Sequence, residues 1–257
     1  GYEQQARWDE AVAVYRRGLV NVKEQAPLYV SWGFALSRQQ QWQEAIARYR
    51  SAVAIDSTYS DAFLRWGIAL EAMRKWEEAI DKLSHAVRLD STDTHALFYL
   101  GSCLEQASRA LDNEDYFTRA GDTFRWLIQL KPDDAYALNY LGYMYADRGI
   151  HLEEAVELLN RAVALEPDNG AFFDSLGWAH YRLGHFDKAE YYLQKALEQV
   201  EGYESAEHFE EQAVIFDHAG DVARALGKNQ DALDLWRRAL DLVPDNDEVR
   251  AKLNIPA

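Results

Sequence analysis

Histidine, cysteine and clustered carboxylates are the residue types in this sequence that could carry catalysis or bind a metal. The chain has seven histidines and one cysteine. His180 and His185 lie five residues apart, whereas two ligands on one helix face need a spacing of four, and no HExxH motif occurs. We therefore assign His180, and likewise His208 and His218, to packing.

An acidic cluster and the single cysteine are the remaining candidates. Cys103 follows Gly101 by two residues in a seam of small residues, where burial as a compact apolar side chain is expected. A cluster near residue 208 could surround a divalent cation, but a solvated acidic helix face is the better explanation. Its members are Glu204, Glu207, His208, Glu210 and Glu211. No nucleophile elbow, P-loop or dinucleotide-binding glycine motif occurs. We predict a non-enzyme without catalytic residues, metal or cofactor.

Composition narrows the class of partner. The formal net charge is −16, and nucleic acids and anionic lipids are bound by clustered Lys and Arg, so both are disfavoured. A basic or amphipathic polypeptide is the expected partner. No run of 18 apolar residues is present, so no membrane insertion is expected. One cysteine leaves the redox compartment open. The chain begins with Gly inside a predicted helix, so we expect further sequence upstream.

Internal repetition dominates the chain. Leu141-Gly142 recurs as Leu176-Gly177, and Ala155 recurs as Ala189, so residues 135–201 contain one pattern of about 34 residues twice. In the first half the period is regular, as the spacing of Trp8, Trp42 and Trp76 shows. Each period has apolar residues at helical spacing in two segments. Helix pairs of this length cannot bury their apolar faces alone, so they stack into a solenoid.

The pattern resembles the tetratricopeptide repeat, whose signature combines Leu-Gly and an aromatic in a first helix with Ala, aromatic, Ala and Pro in a second. The resemblance implies an all-α, right-handed α-solenoid of about six and a half helix-turn-helix repeats with a C-terminal capping helix, in a single domain over residues 1–257. The predicted repeats are residues 1–25 (partial), 26–59, 60–93, 94–134, 135–169, 170–203 and 213–246, and residues 247–257 form the cap.

Three departures from the period are expected to be local. The repeat at 94–134 is seven residues too long, which predicts extended helix ends and a longer loop around residues 111–115. The repeat at 135–169 has one extra residue, placed in the turn at Gly149, and about nine additional residues precede residue 213. Inserted loops often touch partners, so residues 201–212 are a candidate contact, as are Leu111, Asp115, Tyr116 and Phe117. Simple drift in length is the alternative.

In tetratricopeptide repeat proteins the first helices line a concave groove, and the resemblance carries its facing positions over to this chain. An apolar stretch is followed by a set that mixes aromatic, polar and charged groups, and the mixed set is the preferred peptide site. Filling of gaps between helices is the alternative for Tyr143 and Tyr181. The predicted groove residues are Phe34, Arg38, Leu64, Ile68, Phe98, Asn139, Tyr143, Asp174, Trp178, Tyr181, Arg182, Asp217, Asp221 and Arg224.

Three functions are compatible with these patterns. The leading hypothesis is a protein-protein interaction scaffold of a bacterial, envelope-associated assembly, because the sequences of residues 138–149 and 174–189 resemble bacterial envelope and lipoprotein members of the family. A periplasmic or outer-membrane-anchored location is favoured over a cytoplasmic one. The alternatives are a targeting arm of a larger enzyme, such as a glycosyltransferase or protease, and a self-associating structural module. Asp217 and Asp221 disfavour a receptor for acidic C-terminal tails.

Overall fold

The computed structural model describes residues 2–18, 25–200 and 208–255, and every regular element among them is a helix. The chain divides into two compact units, Gly1–Lys131 and Pro132–Ala257. The first unit contains seven of the described helices: α1 Tyr2–Gly18, α2 Gln25–Arg38, α3 Trp42–Ile55, α4 Ser60–Ala72, α5 Trp76–Leu89, α6 Thr94–Leu111 and α7 Glu114–Leu130. The second contains α8 Ala135–Arg148, α9 Leu152–Leu165, α10 Gly170–Arg182, α11 Phe186–Val200, α12 Phe209–Ala225, α13 Asn229–Leu242 and α14 Asp247–Lys252. The predicted all-α repeat fold is confirmed.

Each repeat is a pair of helices held together by a small residue in the first and a large residue in the second. A Cβ atom added at Gly142 would lie 2.6 Å from the Cγ atom of Leu159. At Gly177 it would lie 2.8 Å from the Cγ atom of Leu193. The recurring glycine therefore lets the two helix backbones approach closely, and the large residue fills the space beside it.

First helices of neighbouring repeats contact each other within each unit, as α2 and α4 do, or α8 and α10. Among the described residues no comparable contact joins consecutive second helices such as α3 and α5, or α9 and α11. Each unit therefore curves with its first helices on the inside, which is the face that the sequence predicts as the groove.

The long repeat at 94–134 differs from its prediction. No longer loop is formed, because α6 has 18 residues and α7 has 17, whereas α4 and α5 of the preceding repeat have 13 and 14. Asp112 adopts a left-handed conformation that ends α6, and the Asn113 side chain accepts hydrogen bonds from the backbone N–H groups of Asp115 and Tyr116. Seven residues are about two helical turns, so the excess extends both helices by about a turn without changing their pairing.

The extra residue of the repeat at 135–169 also differs in its place. The turn from α8 to α9 has three residues, as the turn from α4 to α5 does, whereas α8 is one residue longer than α4. In the turn from α8 to α9 the first and third residues, Gly149 and His151, adopt a left-handed conformation. In the turn from α4 to α5 the second residue, Arg74, does so. The added residue therefore lies in the helix and changes the conformation of the turn, not its length.

The capping helix is confirmed as α14, and its N-cap is Asn246, whose side chain accepts from the backbone N–H of Val249 at 3.2 Å. Of the candidate contact at residues 201–212, residues 201–207 lie outside the described residues. Phe209 and the residues that follow belong to α12, where the Gln212 side chain donates to the Val200 carbonyl at 3.0 Å.

Candidate functional site

The first helices of the second unit are joined by a series of polar side chains that we call the polar ladder, made up of Asp174, Trp178, Asp217, His218, Asp221 and Lys252. These residues come from α10, α12 and α14. Each contact has the same form, because one side chain of a first helix lies against two side chains, one helical turn apart, on the preceding first helix.

The first rung of the polar ladder joins α10 and α12. The Nδ1 atom of His218 lies 2.9 and 3.0 Å from the two carboxylate oxygens of Asp174, and both residues are buried. The His218 ring also stacks on the Trp178 indole, with centroids 4.1 Å apart, and Tyr181 stacks on Trp178 at 4.9 Å. Trp178 is therefore held in one orientation by an imidazole and a phenol.

Electrostatics favour the charged imidazole in this rung. Burial alone would lower the pKa of His218, but the charge and the hydrogen bond of Asp174, with further carboxylates at Asp217 and Asp221, raise it above its ordinary value. The buried Asp174 and the protonated imidazole therefore neutralise each other. This pairing removes Asp174 from the set of side chains that could contact a partner.

The second rung joins α12 and α14. The Lys252 ammonium donates to Asp217 at 2.6 Å and to Asp221 at 2.9 Å. Lys252 follows His218 by 34 residues, so it occupies the place in α14 that His218 occupies in α12. Asp217 and Asp221, predicted to attract a basic partner, are thus already paired with a lysine of the chain itself.

Other predicted groove residues also have partners inside the second unit. Arg182 donates from a guanidinium nitrogen to the carbonyl oxygen of Asp147 near the C-terminal end of α8, where the helix dipole favours a cation. Arg224 is exposed and its guanidinium carbon lies 5.5 Å from the Trp236 ring centroid. Tyr143 and Tyr181 are half-buried. These contacts fix the surface before any partner arrives.

Two polar atoms of this surface have no hydrogen-bond partner among the described residues. They are the Oδ1 atom of Asn139 on α8, an acceptor, and the Nε1 atom of Trp178 on α10, whose N–H is a donor. Both atoms are buried although their residues are half-exposed. An unpaired buried polar group costs about 1–3 kcal/mol. A ligand that displaced the side chains covering these atoms would recover free energy by supplying a donor to Asn139 and an acceptor to Trp178.

The predicted apolar stretch of the first unit is partly built into its core. Leu64 is buried, Ile68 and Phe98 are half-buried, and Phe34 is 38% exposed. The Phe34 ring lies edge-on to Trp8 at 5.9 Å and beneath the guanidinium of Arg65, 4.8 Å from its centroid. Arg38 is exposed. Phe34 and Arg38 are therefore the accessible part of this stretch, and Leu64 packs inside.

The predicted loop candidates are helical. Leu111 ends α6 and is 46% exposed, and Asp115, Tyr116 and Phe117 lie in the first turn and a half of α7. Asp115 is exposed, and its carboxylate lies 3.5 Å from a guanidinium nitrogen of Arg119. Leu111 and Asp115 are therefore exposed at the turn between α6 and α7, and Tyr116 and Phe117 are half-buried.

His180 and Cys103 take the packing roles predicted for them, whereas His218 pairs with Asp174, and His208 is half-exposed and lies 3.9 Å from Glu211. His180 is buried and its ring is nearly parallel to Tyr192 with centroids 5.4 Å apart. Cys103 is buried, and burial, with the nearby charge of Glu71, raises the pKa of its thiol to about 12. In the described part of the chain no group of three or more metal-binding side chains was found, and Glu204 and Glu207 lie outside it.

The residues that sequence reasoning missed are His218 and Lys252 as partners of the predicted acidic positions. The available signal was their position in the repeat. Asp217 and Ala251 occupy the place of Asp174 in the two following repeats, and His218 and Lys252 come directly after them. No helix of the described residues is long and apolar enough to cross a membrane.

Comparisons with known proteins agree with this architecture. The tetratricopeptide repeat family pattern matches residues 64–122, 104–170 and 175–236, and a second pattern of the same description matches residues 1–26. The TPR repeat-containing protein PA4667 of Pseudomonas aeruginosa is 46% identical over 87 residues, which are 34% of this chain and 15% of that protein. The aligned part thus spans a small fraction of that relative's length.

Two solved structures have a similar fold. PilW, described as a widely conserved type IV pilus biogenesis factor, aligns with a TM-score of 0.72 at 18% identity, covering 90% of this chain and 100% of PilW. YrrB, described as a TPR protein with an unusual peptide-binding site, aligns with a TM-score of 0.59 at 21% identity, covering 74% of this chain and 93% of YrrB. At these identities the likeness concerns the fold.

Proposed function

Since the chain belongs to the tetratricopeptide repeat family, a family of protein-interaction scaffolds, we propose that it is a non-catalytic scaffold that holds a polypeptide segment along the first helices of its second unit. The observation that carries the proposal is the pair of unpartnered atoms at Asn139 and Trp178. A polypeptide backbone supplies an N–H for Asn139 and a carbonyl for Trp178 in each residue.

The surroundings of the two atoms support a polypeptide ligand. Trp178 stacks with both Tyr181 and His218, so its indole is oriented before binding and loses little conformational entropy. Tyr181, and Tyr143 one helical turn after Asn139 on α8, add half-buried aromatic area. Buried aromatic side chains near a polar rim are what the energetic centres of protein interfaces contain.

The finer proposal is that this scaffold serves an envelope assembly of a bacterium. Its support is the resemblance of residues 138–149 and 174–189 to bacterial envelope members of the family and the 46% identity with a Pseudomonas aeruginosa protein over 87 residues. Crosslinking mass spectrometry on the native complex tests it, because it identifies the neighbours and the helices that touch them. Neighbours confined to the cytoplasm would contradict the envelope location.

Two substitutions test the site itself. Trp178→Phe removes the indole N–H and keeps an aromatic ring, and Asn139→Ala removes the acceptor. Each should weaken binding of the crosslinked partner by about three- to tenfold, since one hydrogen bond is lost. Trp66→Phe is the matched control, because Trp66 in the first unit also has a buried Nε1 atom without a partner among the described residues. Unchanged affinity in both variants would contradict the site.

A further inference from the structure

The helix α14 is held in place by two side chains on one of its faces. Val249 is fully buried in a cluster with Phe216 and Trp236 of α12 and α13. Lys252, three residues later and therefore on the same face, donates to Asp217 and Asp221. We call the site that receives these two side chains the α14 socket, formed by Phe216, Asp217, Asp221 and Trp236.

The α14 socket combines two kinds of recognition. Its apolar part accepts a branched side chain, and its polar part holds an ammonium group between two carboxylates. The Lys252 nitrogen also lies 5.8 Å from the centroid of Trp236, within the range of a cation–π contact. Together these groups select an apolar residue followed by a lysine at helical spacing.

The segment that fills the socket is short. The helix has six residues, and among them only Val249 is fully buried, while Asp247, Glu248 and Ala251 are exposed. A helix of this length is not stable by itself in water, so its attachment depends on packing and ion pairing with α12 and α13. Val249 and Lys252 are its anchors on one face, and Leu253, directly after the helix, packs against the same apolar cluster. Such a short segment can be exchanged for another segment that presents the same anchoring groups.

Charge favours a basic competitor. Residues 132–257 contain 11 of the 27 Lys and Arg and 25 of the 43 Asp and Glu, a net charge of −14, whereas residues 1–131 contain 16 and 18, a net charge of −2. Most of the net negative charge thus belongs to the unit that contains the socket, and a lysine-bearing segment would be drawn to this unit.

We propose that the α14 socket is a binding site for a helical segment of a partner polypeptide that presents an apolar residue and a lysine three residues later, and that α14 occupies this site when the partner is absent. The proposal rests on the proposed function, because it names a partner class for the same scaffold. A tethered helix competes at an effective concentration on the order of millimolar, so the partner binds more weakly than to an open socket.

The test uses the full chain and a labelled, end-capped peptide that copies residues 247–255. Lys252→Met removes the ammonium of the internal competitor and retains its aliphatic stem. This variant should bind the peptide about tenfold or more tightly than the unmodified chain, because charge-assisted hydrogen bonds no longer favour the internal helix. A peptide with norleucine in place of its lysine should not show this tighter binding to the Lys252→Met variant. Lys228→Met, which removes a lysine paired with Glu190 outside the socket, should bind like the unmodified chain.

Three outcomes would overturn the proposal. They are equal binding of the peptide to Lys252→Met and the unmodified chain, equal binding of the lysine and norleucine peptides, and a dimer in which two copies exchange α14. A measurement on the unmodified chain is independent of whether the variant folds. If the peptide displaces α14, the Lys252 ammonium is released from Asp217 and Asp221, so saturating peptide should accelerate acetylation of Lys252 several-fold relative to that of Lys228. Asn139 and Trp178 lie outside the socket, so failure here leaves the test of the proposed function intact.

Discussion

At the scale of single residues, Glu71 on α4 is a carboxyl group whose burial favours the protonated form. Burial raises the pKa of Glu71 to about 7, although a hydrogen bond from the Gln106 amide at 2.9 Å opposes the shift. The folded chain therefore retains the Glu71 proton at a pH where the unfolded chain has lost it. Stability contributed by the neutral form declines as the pH rises from about 4.5 to about 7.

Glu71→Gln should stabilise the protein at pH 8 and have little effect at pH 5. The amide has the shape of the protonated acid, can still accept from Gln106, and carries no charge to desolvate. The expected gain at pH 8 is about 1–3 kcal/mol. Denaturant unfolding at the two pH values measures it, and Glu78→Gln, at an exposed position of α5, serves as the control. A gain that is equal at both pH values would contradict the assignment.

His218 gives the second prediction at this scale. Its folded pKa is raised, so its pairing with Asp174 contributes fully below the unfolded value and is lost as the pH rises through the folded value. His218→Gln should therefore lower the free energy of unfolding by about 1–3 kcal/mol at pH 5.5, and by progressively less as the pH rises through the folded pKa. Thermal unfolding of both proteins across pH 5.5 to pH 9 would show the two curves converging; a constant difference would mean that the imidazolium is not involved.

The sequence predicted half of each rung in the polar ladder. Asp174, Trp178, Asp217 and Asp221 were identified because the resemblance to the tetratricopeptide repeat family implies which positions of each first helix face the groove, and the 34-residue period locates those positions in this chain. Their partners were not, because a period does not say which residue of the next repeat lies opposite. His218 lies 44 residues after Asp174, and the additional residues before α12 conceal that spacing. The partners become visible only once the helices are stacked.

At the scale of elements, the pair α6 and α7 shows how a repeat accepts an insertion. Sequence reasoning predicted a loop, because polar residues around 112–115 are typical of loops. Asp112 and Asn113 instead end one helix and begin the next in two residues. An insertion of about two helical turns keeps every apolar residue on the same face of its helix. Polar residues such as Asp112 and Asn113 occur both in helix caps and in loops, so the sequence alone did not distinguish the two.

Asn113→Ala should therefore destabilise the first unit by about 1 kcal/mol, since it removes the acceptor for two backbone N–H groups. Asn113→Asp should be nearly neutral, because Asp caps as well as Asn. Asn160→Ala on α9 is the comparison, since that side chain is exposed and only donates to a carbonyl within its own helix. Denaturant unfolding measures all three. A neutral Asn113→Ala would show that the turn depends on helix packing alone.

At the scale of the whole molecule, the two units share an architecture and differ in charge. The repeat pattern predicted the helices and their pairing, because small and large residues recur at fixed spacing, and the resemblance to the tetratricopeptide repeat family predicted the inner face. It did not predict that the first unit is nearly neutral while the second has a net charge of −14. Exposed positions do not contribute to the repeat pattern, so their charges vary without altering the fold.

This asymmetry predicts a strongly salt-dependent complex. If the native partner is basic and binds the second unit, its dissociation constant should rise about tenfold or more between about 50 and about 300 mM NaCl. Glu153→Gln with Glu157→Gln on α9 should reduce that dependence. The matched pair on α5, Glu77→Gln with Asp81→Asn, occupies the same exposed places in the first unit and should leave it unchanged. An affinity that is insensitive to salt would instead favour the accessible apolar contacts at Phe34 as the place where the partner binds, because burial of apolar surface is not screened by ions.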